Sequence, residues 1–166
     1  TIEEIGVPGV VLMERAALGA VETLLDHFED RDLDRVGFLC GGGNNGGDGI
    51  AMARMLSERG FETELVFLSS TESIGGDAGT NLEIAEELGL DYRDLGEVEP
   101  DEVEHRLGRL PNCDVWVDAL LGTGLTGDVR GRYVPAIEFL NDRRNVFAVD
   151  IPSGVHGGTG QKMGVA

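Results

Sequence analysis

Residues 36–49 run Val36-Gly37-Phe38-Leu39-Cys40-Gly41-Gly42-Gly43-Asn44-Asn45-Gly46-Gly47-Asp48-Gly49. The first five are a short apolar run that ends in glycines, which is typical of a buried strand. A helical pattern follows from about Gly49 to Arg59, and Gly60 is placed to end it. The stretch therefore predicts a strand, a glycine-rich loop and a helix, the start of a parallel βαβ unit.

Similar strand-like runs and helical patterns alternate along the rest of the chain. Strands are expected at 64–68, 91–95, 114–118 and 146–150, and helices at 10–28, 77–88, 100–110 and 133–141. This alternation predicts an α/β fold, a three-layer α/β/α sandwich around a mostly parallel sheet. Ligands of such folds bind beyond the carboxyl ends of the strands. Glycine-rich loop sequence follows Cys40, Asp118 and Asp150, so we expect three unusual loops to meet at one rim.

Composition limits the class of protein. The 166 residues are 41% hydrophobic and 27% charged, which excludes a disordered or collagen-like chain. No apolar run approaches the roughly 20 residues that span a bilayer, so we expect no membrane partner. Cys40 and Cys113 lie far apart without a CxxC motif. Two buried thiols in a cytoplasmic protein are the simplest interpretation.

The charge is strongly negative, at −18, with 31 acidic residues against 13 basic ones. Such a surface repels phosphate backbones, which argues against a nucleic-acid partner. Lys162 is the lone lysine, and an acidic chain poor in lysine suggests a halophilic protein from a salt-rich cytoplasm. The alternative is an ordinary acidic protein from an arginine-rich proteome.

The first glycine-rich loop fits no standard phosphate motif well. It satisfies G-x-G-x-x-G, but any glycine-dense loop does so, and no Gly-Lys-Ser/Thr follows as in a P-loop. Asp48 would either cap the next helix or repel a pyrophosphate. The uncharged pair Asn44-Asn45 offers amide donors and carbonyl acceptors on a loop able to take positive φ. A ligand site and a decorated tight turn with Asp48 as N-cap both remain open.

The second loop follows Asp118, which ends an apolar strand. An acid there costs desolvation unless it is paired, metal-bound or facing a cleft. Desolvation also raises its pKa, which suits general acid/base chemistry near neutral pH. The alternative is a structural carboxylate that accepts N–H groups from the turn at 122–124. Arg130 either holds a ligand phosphate or bridges to Asp128, and such bridges are the commoner case.

The third loop, Asp150-Ile151-Pro152-Ser153-Gly154, also places an acid after an apolar strand. Ser153 lacks the G-x-S-x-G elbow of a nucleophile. Its hydroxyl suits a cation ligand better, because hard cations take carboxylate, amide and carbonyl oxygens.

With these three loops in place, the sequence resembles the YjeF N-terminal domain family, the NAD(P)H-hydrate epimerases. The matching segments are Leu12-Met13-Glu14-Arg15-Ala16-Ala17, 40–49, 118–124, 127–131, 150–154 and Thr159-Gly160. Arg15 stands where the family usually has asparagine. The resemblance implies one domain over residues 1–166, without the C-terminal strands that normally follow the third loop.

The resemblance further implies a Rossmann-like fold, frequent homodimers and an isomerase that interconverts the R and S epimers of hydrated NADH or NADPH (NADHX and NADPHX). The implied substrate-binding residues are Asn44, Asn45, Gly46, Gly47, Asp48, Gly122, Thr123, Gly124, Leu125, Thr126, Gly127, Asp128 and Asp150. The implied potassium ligands are Asn45, Asp118 and Ser153, and Asp118 is also the implied acid/base group. In the family, a fused or separate dehydratase domain uses ATP or ADP to dehydrate the S epimer.

Two other functions stay open at this point. The same fold serves as a non-catalytic module that dimerises and binds nucleotide or RNA, although the −18 charge opposes RNA and all three loop acids remain. An NAD-dependent dehydrogenase is supported only by the weak glycine match. That class needs a substrate domain, for which 166 residues leave little room.

Overall fold

The computed structural model describes residues 6–166, which form alternating strands and helices. The helices in this range are α1 (Gly9–His27), α2 (Asn44–Glu58), α3 (Gly76–Glu87), α4 (Pro100–Leu107) and α5 (Tyr133–Asn141), with a 3₁₀ turn at Thr71–Ser73. The strands are β1 (Arg35–Cys40), β2 (Glu62–Phe67), β3 (Tyr92–Asp94), β4 (Val115–Ala119) and β5 (Val146–Ala148). The α/β class predicted from the sequence is confirmed.

The sheet has the order β3-β2-β1-β4-β5, and all neighbouring strands are parallel. The chain runs outward from β1 to β2 and β3, then returns to place β4 on the other side of β1. Connections therefore leave the carboxyl ends of β1 and β4 in opposite directions. Such a switch point opens a crevice between two loops, which is where α/β folds bind ligands.

Strand β1 is buried on both faces. Phe38 and Cys40 pack toward helices α1, α2 and α3, whereas Leu39 packs toward α4 and α5. Full burial of each large apolar side chain contributes about 1.5–3 kcal/mol. Burial on both sides explains why β1 is a continuous apolar run rather than an alternating one.

The first loop is shorter than predicted, because α2 begins at Asn44 rather than near Gly49. Its N-cap is Gly43, without a side-chain cap, and Asp48 is the fifth helical residue, so the N-cap interpretation of Asp48 is wrong. None of the glycines at 41–49 takes a positive φ. Gly46 is instead needed for close packing, since a Cβ there would lie 1.9 Å from the Gly41 carbonyl oxygen. Glycine lowers helix propensity, which hid this first turn from the sequence pattern.

Strand β5 ends at Ala148, so Asp150 lies two residues beyond the strand rather than at its last position. Both thiols are free; Cys40 is buried, as expected, but Cys113 is only half-buried. Burial raises the pKa of both. Within residues 6–166, no helix is long and apolar enough to cross a membrane.

Candidate functional site

A cavity of about 660 Å³ opens at the switch point between β1 and β4. Its walls come from residues 42–45 and Asp48, from residues 120–128, and from Tyr133 and Asp150. The volume lies within the roughly 300–1,000 Å³ of small-molecule sites. The first and second loops therefore meet as the sequence predicted, and Asp150 joins them from the third.

The predicted substrate-binding residues reach this cavity with two exceptions. Gly46 and Gly47 are buried in the first turn of α2 and do not line it. Asn44 is exposed, whereas the side-chain amide atoms of Asn45 are buried. Asp118 and Ser153, the other two predicted potassium ligands, also lie outside the lining. They form a separate layer at the carboxyl end of β4.

Asp118 and Ser153 form the buried floor of the site. Asp118 is only 4% exposed, and its Oδ1 accepts hydrogen bonds from Ser153 Oγ at 2.5 Å and Leu120 N at 3.2 Å. Its Oδ2 accepts the backbone N–H of Ser153 at 2.7 Å. Leu121 N donates to Ser153 Oγ at 2.9 Å, which ties the third loop to the second. The carboxylate thus joins the loops that follow β4 and β5.

The floor holds an acidic group that has no cationic partner among the described residues. Burial raises the pKa of Asp118 more than these three hydrogen bonds lower it. No Arg, Lys or His within residues 6–166 forms an ion pair with it. A buried charge without a partner is costly unless an ion compensates it.

The side-chain amide of Asn45, the third predicted potassium ligand, also lacks a partner. Its Oδ1 and Nδ2 are buried and have no hydrogen-bond partner among the described residues. Native structures leave few such groups unpaired, so each calls for a ligand or an ion. An orphaned amide oxygen, a hydroxyl and an uncompensated carboxylate are all oxygen donors that suit a hard cation. The predicted potassium ligands therefore fit the ion in chemistry. No cluster of three His, Cys, Asp or Glu ligands occurs in the same range.

Asp48 and Asp150 form the acidic wall of the cavity. Burial, and secondarily the charge of Asp150, raises the pKa of Asp48 from 3.8 to about 6. Asp150 Oδ2 accepts the N–H of Thr123 at 2.9 Å. A Cβ at Gly122 would lie 2.8 Å from that oxygen and 3.4 Å from Asn45 Cβ, so the second loop passes close to both side chains. A half-buried carboxyl group with such a pKa, facing a cavity, can give and take a proton near neutral pH.

Tyr133 is a lining residue that the sequence analysis missed. It begins α5, and its hydroxyl lies 2.7 Å from Ser69 Oγ, beyond the end of β2. Tyr133 and Ser69 are 64 residues apart, and nothing in the local pattern distinguishes this tyrosine from a core aromatic residue. Arg130, for which two roles were open, forms no ion pair with Asp128.

Known proteins resemble this chain over nearly its whole length. The NAD(P)H-hydrate epimerase of Levilactobacillus brevis is 42% identical over 164 residues, which cover 98% of this chain and 70% of that protein. The epimerase of Rhodopirellula baltica is 40% identical over 161 residues, or 96% of this chain and 62% of that protein. The bifunctional NAD(P)H-hydrate repair enzyme Nnr of Salinibacter ruber is 37% identical, and the match covers 100% of this chain but 32% of that enzyme.

The fold also has a solved counterpart. The crystal structure of the yeast protein ynu0, YNL200c, matches 92% of this chain and 64% of its own with a TM-score of 0.76 at 21% identity. The profile of the YjeF-related protein N-terminus family covers residues 9–166. Of the segments that suggested this resemblance, 40–49, 118–124, 127–131 and 150–154 contribute residues to the cavity, whereas 12–17 and 159–160 do not. The chain belongs to the YjeF-related N-terminal domain family.

Proposed function

We propose that the protein is an NAD(P)H-hydrate epimerase that interconverts the R and S forms of NADHX and NADPHX. The observation that carries this proposal is the 42% identity to an epimerase over 98% of the chain. The cavity at the switch point supports it, because both glycine-rich loops line one space of nucleotide size. A non-catalytic binding module would not require an acid with a raised pKa in that space.

The substrate carbon bears a hydroxyl group next to a ring nitrogen. Inversion needs that hydroxyl to leave and return, or the ring to open and close, and either route moves a proton. Asp48 is the group in the cavity best suited to this step, since it lines the wall and its pKa is about 6. Asp118, the acid/base group implied by the resemblance, lies below the wall with its oxygens already hydrogen-bonded.

Asn45, Asp118 and Ser153 are proposed to hold a potassium ion. When bound, the ion would supply positive charge that offsets the Asp118 carboxylate and stabilises negative charge in the cavity. Ser153 contributes a hydroxyl that also fixes the second loop through Leu121 N. In this arrangement the floor positions the loops, and the acidic wall carries the proton step.

The nucleotide is proposed to lie between the two loops, with its hydrated nicotinamide near the acidic wall. The backbone N–H groups of Gly124, Thr126 and Gly127 form no hydrogen bond within residues 6–166 and are proposed to bind its pyrophosphate, whereas Leu125 N donates to Gly122 O at 3.3 Å. No side-chain acid lies among residues 124–127. Asp48, by contrast, makes the first turn of α2 a poorer anion site.

The proposed product is the S epimer, the form that a dehydratase would consume. Some relatives, including the Salinibacter ruber and Moorella thermoacetica proteins, are named bifunctional NAD(P)H-hydrate repair enzymes. We propose that this domain works together with such a dehydratase, fused or separate.

The test supplies either the purified R epimer or the purified S epimer of NADHX or NADPHX in potassium chloride and follows the appearance of the other epimer by chromatography. Wild-type protein should bring each epimer to the same equilibrium mixture. Gly122→Leu should be much slower, because its Cβ would already lie 2.8 Å from Asp150 Oδ2 and 3.4 Å from Asn45 Cβ, and the rest of the side chain would occupy the cavity that Gly122 lines. Gly19→Leu is the matched control, since a Cβ at that position on α1 meets nothing within 4 Å. A folded wild-type protein that converts neither epimer would overturn the proposal.

A further inference from the structure

A second cavity adjoins the first and has no role in the function proposed above. It measures about 620 Å³ and lies beyond the ends of β2 and β3. Tyr133 lines both cavities, and its hydrogen bond to Ser69 forms the boundary between them. The second loop runs from the first cavity, at 120–128, into the second, at 130–133. A ligand longer than one nucleotide can therefore extend from one space into the other.

The walls of this second cavity are fixed by hydrogen bonds. Asp94 Oδ2 accepts the N–H of Thr71 at 2.8 Å and its hydroxyl at 2.7 Å, and Oδ1 accepts the N–H of Gly96 at 2.7 Å. A Cβ at Gly96 would lie 1.9 Å from Ser70 N, so the loops after β2 and β3 touch there. The cavity is consequently preformed rather than a gap between mobile loops.

Two guanidinium groups line this cavity, those of Arg130 and Arg132. Neither takes part in an ion pair within residues 6–166. Of the 13 cationic residues in this strongly acidic chain, two are thus placed in one cavity without a direct ion pair, although Arg132 lies close enough to Asp94 to interact with its charge. Arginine is the side chain best shaped to bind a phosphate through two parallel hydrogen bonds.

We propose that this cavity holds the adenosine half of NADPHX, with Arg130 and Arg132 binding its 2′-phosphate. The inference rests on the proposed function and adds to it a preference for the phosphorylated substrate. In dinucleotide-binding α/β folds, an arginine accommodates the 2′-phosphate of the adenosine ribose. Here two arginines of the loop after β4 line the cavity together with residues of the loop after β2.

The remaining polar groups suit the rest of that ligand. Ser70 offers a hydroxyl donor to phosphate oxygens. Ser73 Oγ already donates to Ser70 O, and Ser69 Oγ is hydrogen-bonded to Tyr133. Glu72 and Glu97 also line the space and are acceptors only. They can accept hydrogen bonds from a ribose hydroxyl or the adenine amino group. A cavity with two cations, two anions and a serine hydroxyl fits a ligand that brings both phosphate and donor groups.

The test compares NADHX and NADPHX as substrates of wild-type protein and the double variant R130Q/R132Q. The double variant should raise KM for NADPHX by about tenfold or more, since hydrogen bonds to charged groups have roughly that effect. Its KM for NADHX and its kcat for both substrates should not change. Arg144→Gln is the control for the single variants, because it removes one positive charge from an exposed position away from the cavity. The single variants Arg130→Gln and Arg132→Gln apportion the effect and replace the double variant if it fails to fold.

Equal changes for both substrates, or no change for either, would overturn the inference while leaving the epimerase function intact. If wild-type protein converts neither substrate, titration calorimetry measures the binding of adenosine 2′,5′-bisphosphate and of 5′-AMP. The comparison then tests whether the cavity binds a 2′-phosphate. Tighter binding of the bisphosphate, lost in R130Q/R132Q and kept in Arg144→Gln, would support the phosphate cavity without epimerase activity. Equal binding of the two compounds, or no binding, would contradict it.

Discussion

The floor and the wall of the first cavity each contain an aspartate, Asp118 near the end of β4 and Asp48 near the start of α2, and their surroundings differ. On the floor, Asp118 accepts three hydrogen bonds and is 4% exposed. On the wall, Asp48 is half-buried and faces the cavity beside Asp150. Burial raises the pKa of both carboxyl groups, so a raised pKa alone does not assign their roles.

Hydrogen-bond saturation and access separate the two groups. Asp118 joins the ends of β4 and β5, and the substrate would have to displace protein donors to reach its oxygens. The Asp48 carboxyl group accepts no such hydrogen bonds from the described residues and borders the space where a substrate fits. We therefore expect the floor to control stability and ion binding, and the wall to control the proton step. Four measurements test that division, and they differ in the size of effect expected.

Asp48→Asn should lower kcat by about 10²–10⁴, the usual contribution of a general acid or base. The change is nearly isosteric and removes only the group that accepts the proton. Wild-type kcat/KM should also fall below pH about 6, where Asp48 takes up a proton. Steady-state kinetics on R-NADPHX measures both effects, with Asp101→Asn on exposed α4 as the control. If Asp48→Asn keeps more than a tenth of the wild-type kcat, Asp118 becomes the better candidate for the proton step.

Asp118→Ala should lower the free energy of unfolding by about 2–4 kcal/mol, because it leaves the N–H groups of Leu120 and Ser153 buried without an acceptor. Denaturant unfolding in potassium chloride measures the loss. Asp114→Ala is the matched control at the other end of β4. It also removes an acceptor of two backbone N–H groups, but Asp114 is exposed and water can replace it. Equal losses in the two variants would show that the buried Asp118 stabilises the fold no more than the exposed Asp114 does.

Potassium chloride should stabilise the wild-type protein more than sodium chloride at the same ionic strength, by about 1–3 kcal/mol near saturation of the ion. Both salts screen the −18 surface equally, so the difference isolates the proposed site. Thermal unfolding of wild type and Asn45→Ala in each salt is the measurement. The variant should lose the difference between salts and keep the common screening effect. If the wild-type protein unfolds identically in the two salts, screening of the surface charge explains the stabilisation and the potassium site is contradicted.

The smallest expected effect is the pH dependence that Asp48 gives to the free energy of unfolding. The pKa of Asp48 is raised from 3.8 to about 6 on folding, so the folded state is favoured when this group is neutral. That stability is present below pH 3.8 and is lost as the pH rises through about 6. Asp48→Asn should therefore exceed wild type by about 1 kcal/mol at pH 7, after discounting for solvent, and equal it near pH 3.5. Unfolding free energies of both proteins across this range test the sign; a less stable variant at pH 7 would contradict it.

Much of the architecture could be predicted from local patterns. Buried parallel strands are continuous apolar runs, and the helices between them repeat every three to four residues, so β1, β4 and α5 were predicted within one or two residues of their bounds. The start of α2 was missed, because glycines that serve packing resemble glycines that serve a turn. The local sequence around Gly46 does not reveal which carbonyl oxygen lies beside it.

The α/β class, the three loops and the kinds of side chain they carry follow from the sequence alone. The positions of Asp118 under the cavity and Asp48 along it follow from tertiary packing. Burial depends on what packs above a residue, and here those neighbours come from distant segments such as Ser153. The same holds for the second cavity, whose arginines follow β4 and whose serines follow β2. Local sequence fixes the chemistry of a side chain, but long-range contacts fix its solvation and partners, and these determine what it can do.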